Sequence, residues 1–161
     1  MTQGMTKTSA PHGLARLAFR LPIWLYRLRL GWLLSERLLL LTHIGRKSGL
    51  PRQAVIEVVR HDRATDTYIV ASGFGAQADW FRNIQRNPNV VVQSGGRRLV
   101  AVAERLPVDL AADELHGYAQ RHPRAFRTIT KRLLGQEIDG SAEACRRLAA
   151  DVPVVALRPR G

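Results

Sequence analysis

Residues 38–44 read Leu-Leu-Leu-Leu-Thr-His-Ile, a nearly continuous apolar run that stops at a glycine-rich cluster. Residues 53–60 alternate in part, with Val55, Glu57 and Val59 set against Ile56, Val58 and Arg60. Both stretches predict strands, joined by a loop over residues 45–51. A polar turn at 61–66 and a β-branched and aromatic run at 67–71 extend them into a second hairpin. The bend Ser72-Gly73-Phe74-Gly75 follows. Residues 78–85 then carry Trp80, Phe81 and Ile84 at helical spacing before Asn87-Pro88 stops the helix. Residues 90–93 and 99–103, separated by Gly95-Gly96, form the simplest kind of hairpin. Three helices are predicted at 109–121, 123–134 and 141–150, opened by acidic residues or by Pro123, and an apolar strand at 152–157 ends the pattern. Hairpins, one inserted helix, a helical stretch and a last strand describe an α+β barrel. A doubly wound sheet would need alternating crossover helices.

Ahead of the barrel, residues 1–12 are rich in Thr, Gly, Ser and Pro without periodicity and predict a mobile leader. Residues 13–36 predict an amphipathic helical segment broken near Pro22. Its apolar stretch is interrupted by Arg27 and Arg29, so it fails both as a secretory signal and as a membrane span. Two readings stay open for it: a helix packed on its own domain, or a basic face resting on an anionic membrane. Residues 37–161 are then expected to form one barrel domain around a single core, with room to bind a cofactor.

Composition narrows the chemistry. Twenty-five Lys and Arg against thirteen Asp and Glu leave a net charge of +12, which favours anionic partners such as phosphorylated cofactors, nucleic acid or acidic lipid. The single cysteine, Cys145, excludes an internal disulfide and a thiolate-rich zinc site, and the expectation is a reducing cytoplasm, with the inner face of the membrane as its peripheral station. No metal is expected: His116 and His122 are six residues apart, the wrong interval for a helical ligand pair. Ser48 and Ser72 lie in no nucleophile elbow, and Cys145 reads as a small buried hydrophobe.

The loop Gly45-Arg46-Lys47-Ser48-Gly49-Leu50-Pro51-Arg52 gathers three cations and a hydroxyl between glycines. Glycine-flanked backbone can aim successive N–H groups at an anion, Arg can grip phosphate with a fork, and Lys adds a mobile charge. It is neither a Walker loop nor a dinucleotide fingerprint. By composition alone it is equally a phosphate cradle or a solvated hairpin tip.

The string from Leu41 to Arg52, then Val70-Ala71-Ser72-Gly73, then Asp79-Trp80-Phe81-Arg82-Asn83-Ile84 and Asn87-Pro88, resembles the deazaflavin-dependent nitroreductase and quinone reductase family in order and spacing. The resemblance covers about residues 36–106, and the C-terminal helices and strand in outline. It implies a split β-barrel related to the flavin-mononucleotide-binding oxidases, with coenzyme F420 in an extended groove. Arg46, Lys47, Ser48 and Arg52 match the family's loop for the phosphate and acidic tail. Ala54, Val55 and Ile56 match the strand beside the deazaflavin, Val70, Ala71, Ser72 and Gly73 a segment offering backbone contacts, and Trp80 and Asn83 the helix that closes over the cofactor. The implied activity is hydride transfer from reduced coenzyme F420 to a quinone or another electron-poor small molecule. The family's prodrug-activating nitroreductases carry several tyrosines in the C-terminal helical region, where this chain has Tyr118 alone. No catalytic residue is assigned; His116, Tyr118 and His122 are the candidate proton donors. The alternatives are flavin mononucleotide in the same barrel, or a basic module for nucleic acid or membrane. The latter lacks a recognition helix or RNA-binding signature, so no nucleic acid is expected.

Overall fold

The computed structural model describes residues 37–161. The leader at 1–12 and the helical segment at 13–36 lie outside the described residues. Strands β1 (Leu38–Ile44), β2 (Pro51–Asp62) and β3 (Thr67–Ala71) come first, followed by a 3-10 turn at Gly75–Gln77 and helix α1 (Asp79–Arg86). Strands β4 (Asn89–Ser94) and β5 (Arg97–Arg105) precede helices α2 (Val108–Arg121), α3 (Pro123–Leu134) and α4 (Ala142–Asp151), and β6 (Val154–Pro159) comes last. The strands pair antiparallel in the order β1-β2-β3-β6-β5-β4, and β4 returns to β1 to close a barrel. The α+β barrel expected from the pattern is the architecture observed.

Two boundaries moved for physical reasons. β2 runs from Pro51 to Asp62, beyond the alternating apolar positions, because its backbone pairs with β1 at one end and β3 at the other. The last strand begins at Val154 and not at 152, since the Val152 N–H still donates to Leu148 O of α4 at 2.9 Å and Pro153 has no N–H to offer.

β3 and β6 are apolar on both faces because both faces are covered. Tyr68, Val70, Val155 and Leu157 point into the barrel with Leu39, Leu41, Ile56, Val58 and Val92. Ile69, Val154 and Ala156 point the other way, into a second cluster with Leu115, Phe126, Cys145 and Leu148 of the helices. Helix α1 adds Phe81 and Ile84 to the barrel cluster, and the Arg105 guanidinium lies 5.5 Å from the Phe81 ring centre. Cys145 is fully buried, as its apolar setting predicts.

A β-bulge interrupts the β2–β3 register, where Val58 faces Val70 but Arg60 faces Ile69. The Val59 carbonyl there accepts from the Arg121 guanidinium at 3.1 Å. Glu114 and Arg121 are seven residues apart on α2, two helical turns, so both reach β2: Glu114 takes the Arg60 guanidinium at 2.8 Å. Among the described residues no helix is long and apolar enough to cross a membrane.

Neighbouring residues of β6 test this two-sided burial. Leu157→Ala, inside the barrel, should lower stability by about 2–5 kcal/mol. Arg158→Ala, exposed and paired with Glu104 at 3.0 Å, should change it by less than about 1 kcal/mol. Urea unfolding of the two variants measures the difference.

Candidate functional site

The β1–β2 connection is a tight, hydrogen-bonded loop. Gly45 N–H donates to Leu50 O and Gly49 N–H to Gly45 O, both at 2.9 Å, and Ser48 Oγ accepts from Leu50 N–H at 3.2 Å. Gly49 has a φ of +67°, which a side chain would strain. This geometry leaves Lys47 and Ser48 exposed at the tip, with Arg52 exposed at the start of β2.

Arg46 points elsewhere. Its backbone N–H and its guanidinium both donate to Asn83 Oδ1, at 3.0 and 2.8 Å, and the guanidinium also reaches Asp79 Oδ1 at 3.2 Å. Asn83 is buried, and its amide nitrogen lies 3.1 Å from Nδ1 of the buried His43. For the amide to donate, that ring nitrogen must be the unprotonated one. Burial pulls the His43 pKa from 6.5 down to about 4; Asp79 opposes this fall and Arg52 assists it. The neutral ring therefore orients Asn83, and Asn83 holds the loop against α1.

One residue past Asp79, Trp80 enters a cleft outside the barrel. Val55, Ala71, Gly73, Phe126, Leu133 and Tyr118 line it, so it lies between β2, the end of β3 and helices α2 and α3. The Trp80 and Phe81 rings meet edge to face at 6.0 Å, which places one in the cleft and the other in the barrel core. A Cβ on Gly73 would stand 2.4 Å from Leu133 Cδ1, so the bare glycine lets α3 close on the cleft wall.

Among the described lining residues, a single carboxylate interrupts this apolar wall. β2 sends Ala54, Ile56 and Val58 toward the barrel cluster, and Val55, Glu57 and Val59 line the cleft. The Tyr118 hydroxyl donates to Glu57 Oε1 in a short hydrogen bond. Burial first, and then the adjacent Glu57 carboxylate, push the Tyr118 pKa well above its ordinary 10, with Arg37 acting in the opposite sense. The phenol thus stays protonated across the physiological range.

The sequence-derived positions fall into five groups. Lys47, Ser48 and Arg52 are exposed at the loop, and Val55, Ala71, Gly73 and Trp80 line the cleft, which Ile56 borders while packing in the barrel cluster. Arg46 and Asn83 spend their polar atoms on each other and on Asp79 and His43. Ala54 and Val70 pack toward the barrel interior, with the Val70 backbone between β2 and β6. Ser72 is fully buried: its N–H donates to Pro153 O at 2.8 Å and its hydroxyl to Gly75 O at 2.7 Å.

Of the candidate proton donors, only Tyr118 lines the cleft. His116 Nδ1 is engaged with Gly140 O at 2.8 Å, and His122 is exposed, 5.2 Å from the Tyr118 ring. Arg97, exposed at the start of β5, pairs with Asp66 at 2.6 Å. Glu57 escaped the sequence reading, although a charge within the alternation Val55-Glu57-Val59 was a usable signal.

The His43 network carries a pH signature. Unfolding returns the ring pKa from about 4 to about 6.5, so the unfolded chain binds the extra proton as pH falls. Stability from this ring is complete above pH 6.5 and should decline toward pH 4, by roughly 3 kcal/mol over that window. Urea midpoints of the wild type and His43→Gln across that range should converge as pH falls. Asn83→Ala, which strands the Arg46 N–H, should cost about 1–3 kcal/mol by the same measurement.

Comparison with known proteins follows this geometry. The profile described as F420H(2)-dependent quinone reductase matches residues 20–134. A comparison with curated protein sequences gives no match. Among solved structures, an F420-H2 dependent reductase aligns with a TM-score of 0.53 at 19% identity, covering 77% of this chain and 96% of that one. A heme storage protein from Vibrio cholerae aligns with 0.52 at 16% identity, over 88% and 92% of the two chains. General stress protein 26 from Bacillus anthracis aligns with 0.50 at 15% identity, over 83% and 89%. These distant likenesses carry the barrel fold, and the profile carries the family. With a cationic hairpin loop, an apolar cleft under Trp80 and a profile match over most of its length, the chain belongs to the F420H(2)-dependent quinone reductase family.

Proposed function

We propose that this protein passes hydride from reduced coenzyme F420 to a quinone or another electron-poor small molecule, binding the coenzyme between the loop at 45–52 and the cleft under Trp80. The observation that carries the reading is the position of α1. Asp79 and Asn83 fasten this helix to the loop through Arg46, and Trp80 of the same helix lines the cleft. A cationic end and an apolar end are thereby held on one rigid frame.

That frame suits a ligand with a flat ring at one end and a phosphate with carboxylates at the other. Lys47 and Arg52 are the exposed cations that would meet the anionic end, with Ser48 able to donate a hydroxyl beside them. Val55, Ala71, Gly73 and Trp80 offer apolar wall for the ring. Flavin mononucleotide, the alternative ligand, finds no support in the family match. When bound, reduced coenzyme F420 supplies the hydride itself.

The protein's own contribution is orientation and a dry cleft. Apolar side chains exclude water from the space beside Trp80. The Arg46–Asn83–His43 network keeps the loop at a fixed distance from that space, which limits the conformational freedom lost on binding. The absence of a nucleophile–base pair from the sequence reading agrees with a reaction in which the cofactor carries the chemistry.

Mixing the purified protein with reduced coenzyme F420 and menadione should restore the absorbance of the oxidised coenzyme. Lys47→Ala and Arg52→Ala should each weaken coenzyme binding roughly tenfold, and more so at low salt, as expected for exposed charge-assisted contacts. Equal tight binding by all three proteins would remove the loop from the site, and absence of both binding and turnover would end the proposal.

A further inference from the structure

In the cleft, Glu57 is the sole carboxylate among the described lining residues, set among Val55, Ala71, Trp80, Phe126 and Leu133. The other hydroxyl-bearing side chain on the wall besides Tyr118 is Thr130. It is occupied, donating to Arg127 O at 3.1 Å and lying 3.5 Å from the Ile138 N–H. Tyr118 donates to one oxygen of Glu57 and fixes the carboxylate's place. An ionised carboxylate offers about four acceptor positions, of which one hydroxyl fills one.

A ligand entering this cleft strips water from Glu57. The lost hydration must be replaced, because a charge buried without partners is costly. An acceptor whose polar atoms are carbonyl oxygens alone brings lone pairs against lone pairs and replaces nothing. One that carries an O–H or N–H replaces the lost water directly. We infer that Glu57, held in place by Tyr118, is a specificity-determining residue that selects acceptors presenting a hydrogen-bond donor to the cleft wall. This inference rests on the proposed function and adds to it that the acceptor meets the coenzyme ring at the Glu57–Tyr118 end of the cleft, and it narrows the substrate class from electron-poor molecules in general to donor-bearing ones.

The experiment compares menadione with its hydroxymethyl analogue, which differs by one hydroxyl, using the full chain and reduced coenzyme F420. In the wild type kcat/KM should favour the hydroxymethyl compound by about tenfold, the scale of one hydrogen bond to a charged group. In Glu57→Gln, which keeps an acceptor for Tyr118 but loses the charge and half the acceptor capacity, the ratio should fall to within about threefold of unity. Tyr118→Phe, which frees the carboxylate, should lower the ratio several-fold and guards against a Glu57 variant that fails to fold. A merely structural role for Glu57 would slow both compounds equally and leave the ratio alone.

Calorimetric titration of the two quinones into the protein without coenzyme should return the same order of preference. It decides the inference even where neither compound is turned over, an outcome that would defeat the proposed function alone. Equal affinities in the wild type, or a preference that survives both substitutions, overturns the role given to Glu57.

Discussion

Everything in this molecule hangs on a strand that must satisfy two environments at once. β2 gives one face to the barrel, through Ala54, Ile56 and Val58, and the other to the cleft and helices, through Val55, Glu57 and Val59. The period of two in a strand makes this division possible, and it also makes the register unforgiving, since a slip of one residue would bury Glu57 in the barrel. The pairing with β1 over seven residues and the bulge at Val59 hold that register. Because Arg52 begins the same strand, the cationic loop and the cleft are set at a fixed separation along one backbone.

Polar contacts then attach the remaining elements to β2 and its loop. On one side α1 is tied through Asn83 and Asp79 to Arg46; on the other α2 is tied through Glu114, Tyr118 and Arg121 to Arg60, Glu57 and the Val59 carbonyl. The first set includes a buried histidine kept neutral by burial, the second a phenol kept protonated by burial and by the adjacent Glu57 carboxylate. Each group is in the state that lets its partner's hydrogen bond form without an unpaired buried charge. Rigid placement of the cleft walls follows from these bonds more than from the apolar contacts, which would tolerate sliding.

Among the described residues, cations serve two different ends. Arg60, Arg97, Arg147 and Arg158 face carboxylates and serve the fold's surface, each worth little alone. Lys47 and Arg52 stand exposed at the loop, where the proposed function turns them toward the anionic end of the coenzyme. Arg46 is the instructive case: in sequence it is indistinguishable from its neighbours, yet its guanidinium serves the frame of the site.

The strand and helix order, the two-glycine hairpin and the cationic character of the loop were legible in the amino-acid sequence. Periodicity, turn residues and charge are local properties that neighbouring residues set by themselves. What the sequence could not determine was which polar atoms are spent within the molecule: that Ser72 and Asn83 satisfy their own backbone and neighbours, that Arg46 turns to α1, and that Glu57 meets Tyr118 across 61 positions of chain. Those partners are brought together only when the barrel closes and the helices dock. Hydrogen-bond satisfaction is a property of distances between remote segments, and no local pattern encodes it.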